Sequence, residues 1–124
     1  MRKLSTITFL TLDGVMQAPG TPEEDPSGGF RHGGWSANYW DDAMNRAIAK
    51  IIAVPFDLLF GRRTYEILAA YWPYAGDSPT ALALNRATKY VASSTLRELK
   101  WKNSRLITGD VVAEVARLQY HCPS

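Results

Sequence analysis

The chain holds one cysteine, Cys122, in 124 residues. That excludes an intrachain disulfide and fits a reducing compartment. It holds two histidines, His32 and His121, too far apart in sequence for metal-ligand spacing, so no metal site is expected and neither is assigned a catalytic role. The pairing of Tyr120, His121 and Cys122 supplies one thiol and one imidazole, which do not make a site. Neither sign of charge dominates: 14 Lys and Arg stand against 12 Asp and Glu, a net charge of +2, with no Lys/Arg run, which speaks against a nucleic-acid partner. No apolar run approaches the roughly 20 residues that span a bilayer, so no membrane partner is expected. Met1-Arg2-Lys3 runs into Leu4-Ser5-Thr6-Ile7, too short and hydroxyl-rich for a signal core, so a cytoplasmic location is expected. Neither G-x-G-x-x-G nor G-x-x-x-x-G-K-[ST] occurs. What remains is 46% apolar and of single-domain size.

The chain is organised around residues 56–66, FDLLFGRRTYE. Leu58-Leu59-Phe60 is too short to separate strand from helix by period alone. Gly61 ends it, however, and Tyr65, Leu68, Ala69 and Trp72 then recur at i, i+3, i+4 and i+7 with Pro73 as the stop. The reading is a buried strand, a glycine turn, and a helix with Arg62, Arg63 and Thr64 in its first turn. Unpaired N–H groups, the positive end of the helix dipole and two guanidiniums there suit a phosphate. Equally, the two arginines can be solvated charges beside an ordinary turn.

Ahead of that stretch, residues 5–12 alternate threonine with Ile7 and Phe9 and predict a first strand, closed by Asp13-Gly14. Asp13 reads as turn chemistry or as a carboxylate facing a substrate. Residues 14–38 are rich in Gly, Pro, Asp and Glu, a loop longer than compact domains usually carry. Its Phe30 and Trp35, with Tyr39 and Trp40 after it, offer a flat surface for a ring-shaped ligand or staple the loop to the core. A helix is predicted over 41–52, with Met44, Ala47, Ile48, Ile51 and Ile52 on one apolar face. Beyond Trp72, Ser78-Pro79 predicts an N-cap and first helical position for a short helix to Arg86. A strand over 89–93 ends in Ser93-Ser94-Thr95, hydroxyls that cap a turn or donate to a phosphate. A turn at 101–105, a strand at 106–108 and a helix capped by Asp110 follow, with Val111, Val112, Val115 and Leu118 inward.

LLFGRRTYE resembles the G-R-x-T-[WY]-E segment of the dihydrofolate reductase superfamily, and more closely its bacterial branch related to the reductase domain of riboflavin biosynthesis. TLDGVMQAPG, GGFRHGGWS, KYVASSTL and LITGDVVAEVARL match in family order, from about Ile7 to Leu118. The resemblance implies an α/β domain over residues 1–118, an incomplete dihydrofolate-reductase-like sheet flanked by helices, followed by an unmatched tail at 119–124. It implies NADPH-dependent reduction of a small-molecule substrate, pterin-like or an aminopyrimidine. Gly61 would allow close approach of the backbone, and Arg62, Arg63 and Thr64 would grip the phosphates. Ser93, Ser94 and Thr95 would complete a 2′-phosphate pocket, so NADPH would be preferred over NADH. Asp13 and Trp35 would border the substrate, and no catalytic acid is assigned.

The resemblance stops short of the family's last third. The family's next strand, which separates the first strand from the one before GRRT, has no counterpart here, nor has its glycine-rich cofactor turn. Open sheet edges and self-association through them are therefore expected. The alternative is a non-catalytic nucleotide-binding or partner-binding module, a truncated pseudo-enzyme; a frameshift in the source sequence would also produce the tail.

Overall fold

A computed structural model describes residues 1–121. The chain parts into two compact units, one of Met1–Leu4 with Ile48–Ser124 and one of Ser5–Ala47.

The larger unit is a mixed α/β structure built on three parallel strands in the order β1-β2-β3. β1 is Leu58–Gly61, β2 Lys89–Ala92 and β3 Ser104–Ile107. Phe60, Val91 and Leu106 stand abreast in the register, and since side chains alternate along a strand they share one face of the sheet. On that face lies the core: Tyr65, Val91 and Trp101 are buried, with Phe60, Leu68, Ala69, Trp72, Leu84, Leu96, Leu99 and Leu106 against them. β2, paired on both sides, has Lys89, Tyr90 and Val91 all buried, as a central parallel strand requires.

Helix α2, Arg62–Tyr71, follows β1 without a linker. Tyr65, Leu68, Ala69 and Trp72 form the face laid on the core, so the 3.6-residue period read from the sequence is the one the fold uses. A 3-10 turn, Trp72–Tyr74, carries the stop at Pro73. α3, Pro79–Arg86, begins at its cap: the Ser78 hydroxyl accepts from the Ala81 N–H at 3.2 Å. α4, Val111–Tyr120, is capped by Asp110, whose carboxylate accepts from the Ala113 N–H at 3.0 Å. α4 runs two residues past Leu118, and its end is tied to the N-terminus: the Arg2 N–H donates to the Gln119 carbonyl at 2.8 Å. Arg2 in turn pairs with Asp57 at 2.7 Å, next to β1. The tail at Cys122 and beyond lies outside the described residues.

Two expectations fail here. Residues 5–12 form no strand; β-prone side chains make a strand only where a second strand supplies hydrogen bonds, and no strand lies in their unit. Val112 is 80% exposed, not inward, and no residue of α4 is buried. The predicted helix over 41–52 is α1, Asp42–Ile52, with Asp41 as its cap to the Met44 N–H at 2.9 Å. It buries none of its residues, so its apolar face is not accounted for by a core.

In the smaller unit the glycine-rich loop is held by its own polar groups. Gln17 Nε2 donates to the carbonyls of Asp25 and Ser27, Trp35 Nε1 to the carbonyl of Gln17 at 2.9 Å, and the Ser36 hydroxyl to that of Pro19. Gly33 is where two backbones meet: a Cβ there would run into the Pro22 carbonyl oxygen, and only glycine avoids that clash. Gly33→Ala is expected to cost about 1–3 kcal/mol in denaturant unfolding, the usual cost of overpacking. Gly109→Ala, outside the positive-φ range and with nothing within 4 Å of the added carbon, is the neutral control. Equal stability of the two variants would mean that the loop gives way at no cost.

Candidate functional site

Each of the three parallel strands ends on the same side of the sheet, β1 directly at a helix and the other two at turns. β1 runs into α2, β2 into Ser93-Ser94-Thr95, and β3 through Thr108-Gly109-Asp110 into α4. Between these strand ends lies an open cavity of about 410 Å³, lined by Arg62, Ser93, Ser94, Thr95, Thr108 and Gly109, with the apolar Ala92, Ile107 and Val111. Ligands of open parallel sheets bind outside these carboxyl ends, where helix N-termini converge and no strand obstructs.

Arg62 is held from two directions. Nε donates to Glu66 Oε1 at 3.0 Å one helical turn on, and Nη1 to the Thr95 hydroxyl at 2.7 Å. The second bond draws the guanidinium from α2 toward the end of β2. The three hydroxyls divide their duties. Ser93 Oγ accepts from the N–H groups of Thr95 and Leu96 at 3.3 and 3.0 Å and shapes the turn. Thr95 orients Arg62. Ser94 lines the cavity without a side-chain hydrogen bond among those the structure shows. The capping reading of these residues thus holds for Ser93, and the ligand-facing reading is left to Ser94 and Thr95.

Arg63 and Thr64 are exposed on the first turn of α2 and do not line the cavity. Gly61 is the N-cap of α2, extended at φ −77° and ψ 170°; its value at this place is open space and not a conformation barred to other residues. No side chain caps α2, whereas Asp41, Ser78 and Asp110 cap the other three helices. The first N–H groups of α2 are therefore left to solvent or a ligand.

Asp13 and Trp35, expected at the substrate, belong to the smaller unit. Asp13 is exposed and accepts from the Thr11 hydroxyl at 2.6 Å. That bond, followed by one from its own backbone, holds its carboxyl below the ordinary range of about 3.8, so at neutral pH it is an anion with no proton to give. Trp35 serves as the loop's staple through Gln17. Among the described residues no cluster of His, Cys, Asp or Glu could hold a metal ion.

Two features of the site were not singled out in the sequence, though each has a local signal. Glu66, the partner of Arg62, was legible as an i, i+4 pair on a helix. Thr108 and Gly109 lead from a strand into a helix as Gly61 and Arg62 do, two strands across the sheet, and that repetition was the available signal.

No protein-family model matches the chain, and no curated protein matches it in sequence. The class is thus defined by fold and site alone: a mixed α/β protein with a three-stranded parallel sheet flanked by helices and a cationic, hydroxyl-lined cavity at the strand ends. No helix is long and apolar enough to cross a membrane among the described residues.

Proposed function

We propose that the strand-end cavity takes the phosphate-bearing end of a nucleotide, NADPH, in a chain related to the dihydrofolate reductase superfamily. The observation that carries this reading is the convergence of Arg62, Ser94 and Thr95 on one cavity, with Arg62 already drawn to Thr95 at 2.7 Å. A guanidinium offers a phosphate two parallel donors, and hydroxyls and the uncapped N–H groups of α2 add more. In this reading Glu66 keeps Arg62 extended and competes with the incoming anion. NADPH, when bound, supplies a hydride to a pterin-like or aminopyrimidine ring. The chain's own part is to bind and orient: Arg62 with Ser94 and Thr95 holds the 2′-phosphate, and Arg63 and Thr64 stand by the neighbouring phosphates.

One observation favours a second reading, a binding module without catalysis. Among the described residues Arg62 is the single ionisable side chain lining the cavity, and a guanidinium moves no proton at neutral pH. The resembled aminopyrimidine reduction separates the two readings: NADPH oxidation followed at its absorbance band, with and without an aminopyrimidine, occurs in the first and not in the second.

Thermal unfolding tests the shared core of both. Excess NADPH is expected to raise the midpoint and NADH to leave it nearly unchanged, since ligand binding to the folded state alone stabilises it by about 2.7 kcal/mol at a hundredfold excess over Kd. Arg62→Ala removes the preference for NADPH, and Glu66→Gln enlarges the NADPH shift by freeing the guanidinium. No shift with either nucleotide in the parent chain would sink the reading.

A further inference from the structure

β1 is an edge strand with one side free of any strand in its unit. Edges are normally protected by charge, proline or a bulge, because their outward N–H and C=O groups template pairing with another chain. The other edge, β3, carries the exposed Arg105. β1 carries nothing of the kind: Leu58, Leu59, Phe60 and Gly61 are uncharged, and Leu59 is 39% exposed.

The same chain also holds a strand without a sheet. Residues 5–12, STITFLTL, contain no charge, proline or glycine and are rich in the side chains that favour strands. Ile7, Leu10 and Leu12 are largely exposed. From residue 5 to residue 10 no backbone hydrogen bond is made among the described residues. Each copy therefore carries one unprotected edge and one unpaired strand segment, both apolar and neither charged.

We propose that two copies of the chain exchange these elements, residues 5–12 of one pairing with the outer side of β1 of the other. A two-fold axis makes the exchange reciprocal, so both β1 edges and both segments are paired in a closed dimer. Strand addition of this kind draws its affinity from backbone hydrogen bonds and its register from alternate side chains. The four-residue edge is short, so the dimer forms in the micromolar range or weaker and depends on concentration.

Light scattering behind gel filtration, from about 10 μM to 1 mM, reads the mass. The expected result is a shift from 13.8 kDa to twice that value, with no larger species. Leu59→Lys places a charge on the edge, and Thr8→Pro removes a donor from the segment; each is expected to leave a monomer at every concentration. Because Leu59 and Thr8 both lie outside the buried core, circular dichroism of the two variants serves as the check on folding. In a Cys122→Ser background, chains with one cysteine at Leu59 are mixed with chains carrying one at Ile7, Thr8 or Phe9. A disulfide between the two kinds of chain is expected for at least one pair. A monomer throughout the range overturns the proposal. So does a dimer that survives Thr8→Pro but not Leu59→Lys, which would mean that β1 pairs with β1 of the second copy. A disulfide formed only when both cysteines sit in one monomeric chain overturns it as well.

Discussion

Replacing Trp101 with alanine is expected to lower the unfolding free energy by about 3–5 kcal/mol, a large part of the 5–15 kcal/mol that a domain of this size commands. Trp101 is 2% exposed and does four things at once. Its ring packs beside Tyr65, with centroids 6.3 Å apart. Its backbone N–H donates to the Tyr65 hydroxyl at 3.0 Å, and its indole Nε1 donates to Asn85 Oδ1 at 2.6 Å. Its face lies 4.3 Å below the Lys89 ammonium. The residue thereby joins α2, α3 and β2 from a connection that has no helix or strand of its own. Trp101→Phe keeps most of the ring but orphans Asn85 Oδ1, at an expected cost of about 1–3 kcal/mol. Urea unfolding measures both. A loss below about 1 kcal/mol in the alanine variant would show that the core does not depend on this side chain.

Stability is expected to rise, not fall, between pH 8 and pH 10. Lys89 is fully buried; burial first, then the nearby charge of Lys102, pushes its ammonium down to about 8 from 10.5. The charge is not unsupported: Nζ donates to the carbonyls of Asn85 at 2.9 Å and Lys102 at 3.1 Å, the former in the last turn of α3, where a cation meets the negative end of the helix dipole. Between the two values the unfolded chain keeps a proton that the folded chain has released, so unfolding becomes harder as the pH rises. At about 1.4 kcal/mol per unit the gain approaches about 3 kcal/mol by pH 10.5. Other lysines and the tyrosines titrate nearby, so the quantity to read is the difference from Lys89→Met, in which this contribution is gone. A difference that stays flat from pH 7 to 10.5 would mean the ammonium remains charged in the fold, its two carbonyls and the indole ring outweighing its burial.

Elements whose signals are local were legible. The period of Tyr65, Leu68, Ala69 and Trp72 defined the buried face of α2, and Ser78 and Asp110 marked helix starts through bonds to N–H groups three residues on. The strand over residues 5–12 was misread because its signal is the same whether or not a partner exists; pairing is a property of two segments. Val112 was placed inward by a pattern that assumes a neighbour for its face of α4. Lys89 gave no sign, since its partners are carbonyls contributed by residue 102 and by the turn of α3 that precedes it. At the site, Arg62 and the hydroxyls of 93–95 were joined by resemblance alone. Residues 33 apart carry no local mark that a crossover returns one beside the other.

The parallel sheet also dictates an order of assembly. Pairing β2 with β3 brings Lys89 to Ser104, 15 positions on, whereas pairing β1 with β2 brings Leu58 to Lys89, 31 positions on. Each doubling of a closed loop adds about 0.6 kcal/mol of chain entropy, so the β2–β3 contact is the cheaper one to make first. No hairpin is available to start the process, because every neighbour in this sheet is reached by a crossover. Collapse around Trp101 and Tyr65 must gather the strands before any ladder can form, and folding is correspondingly slow for so small a chain.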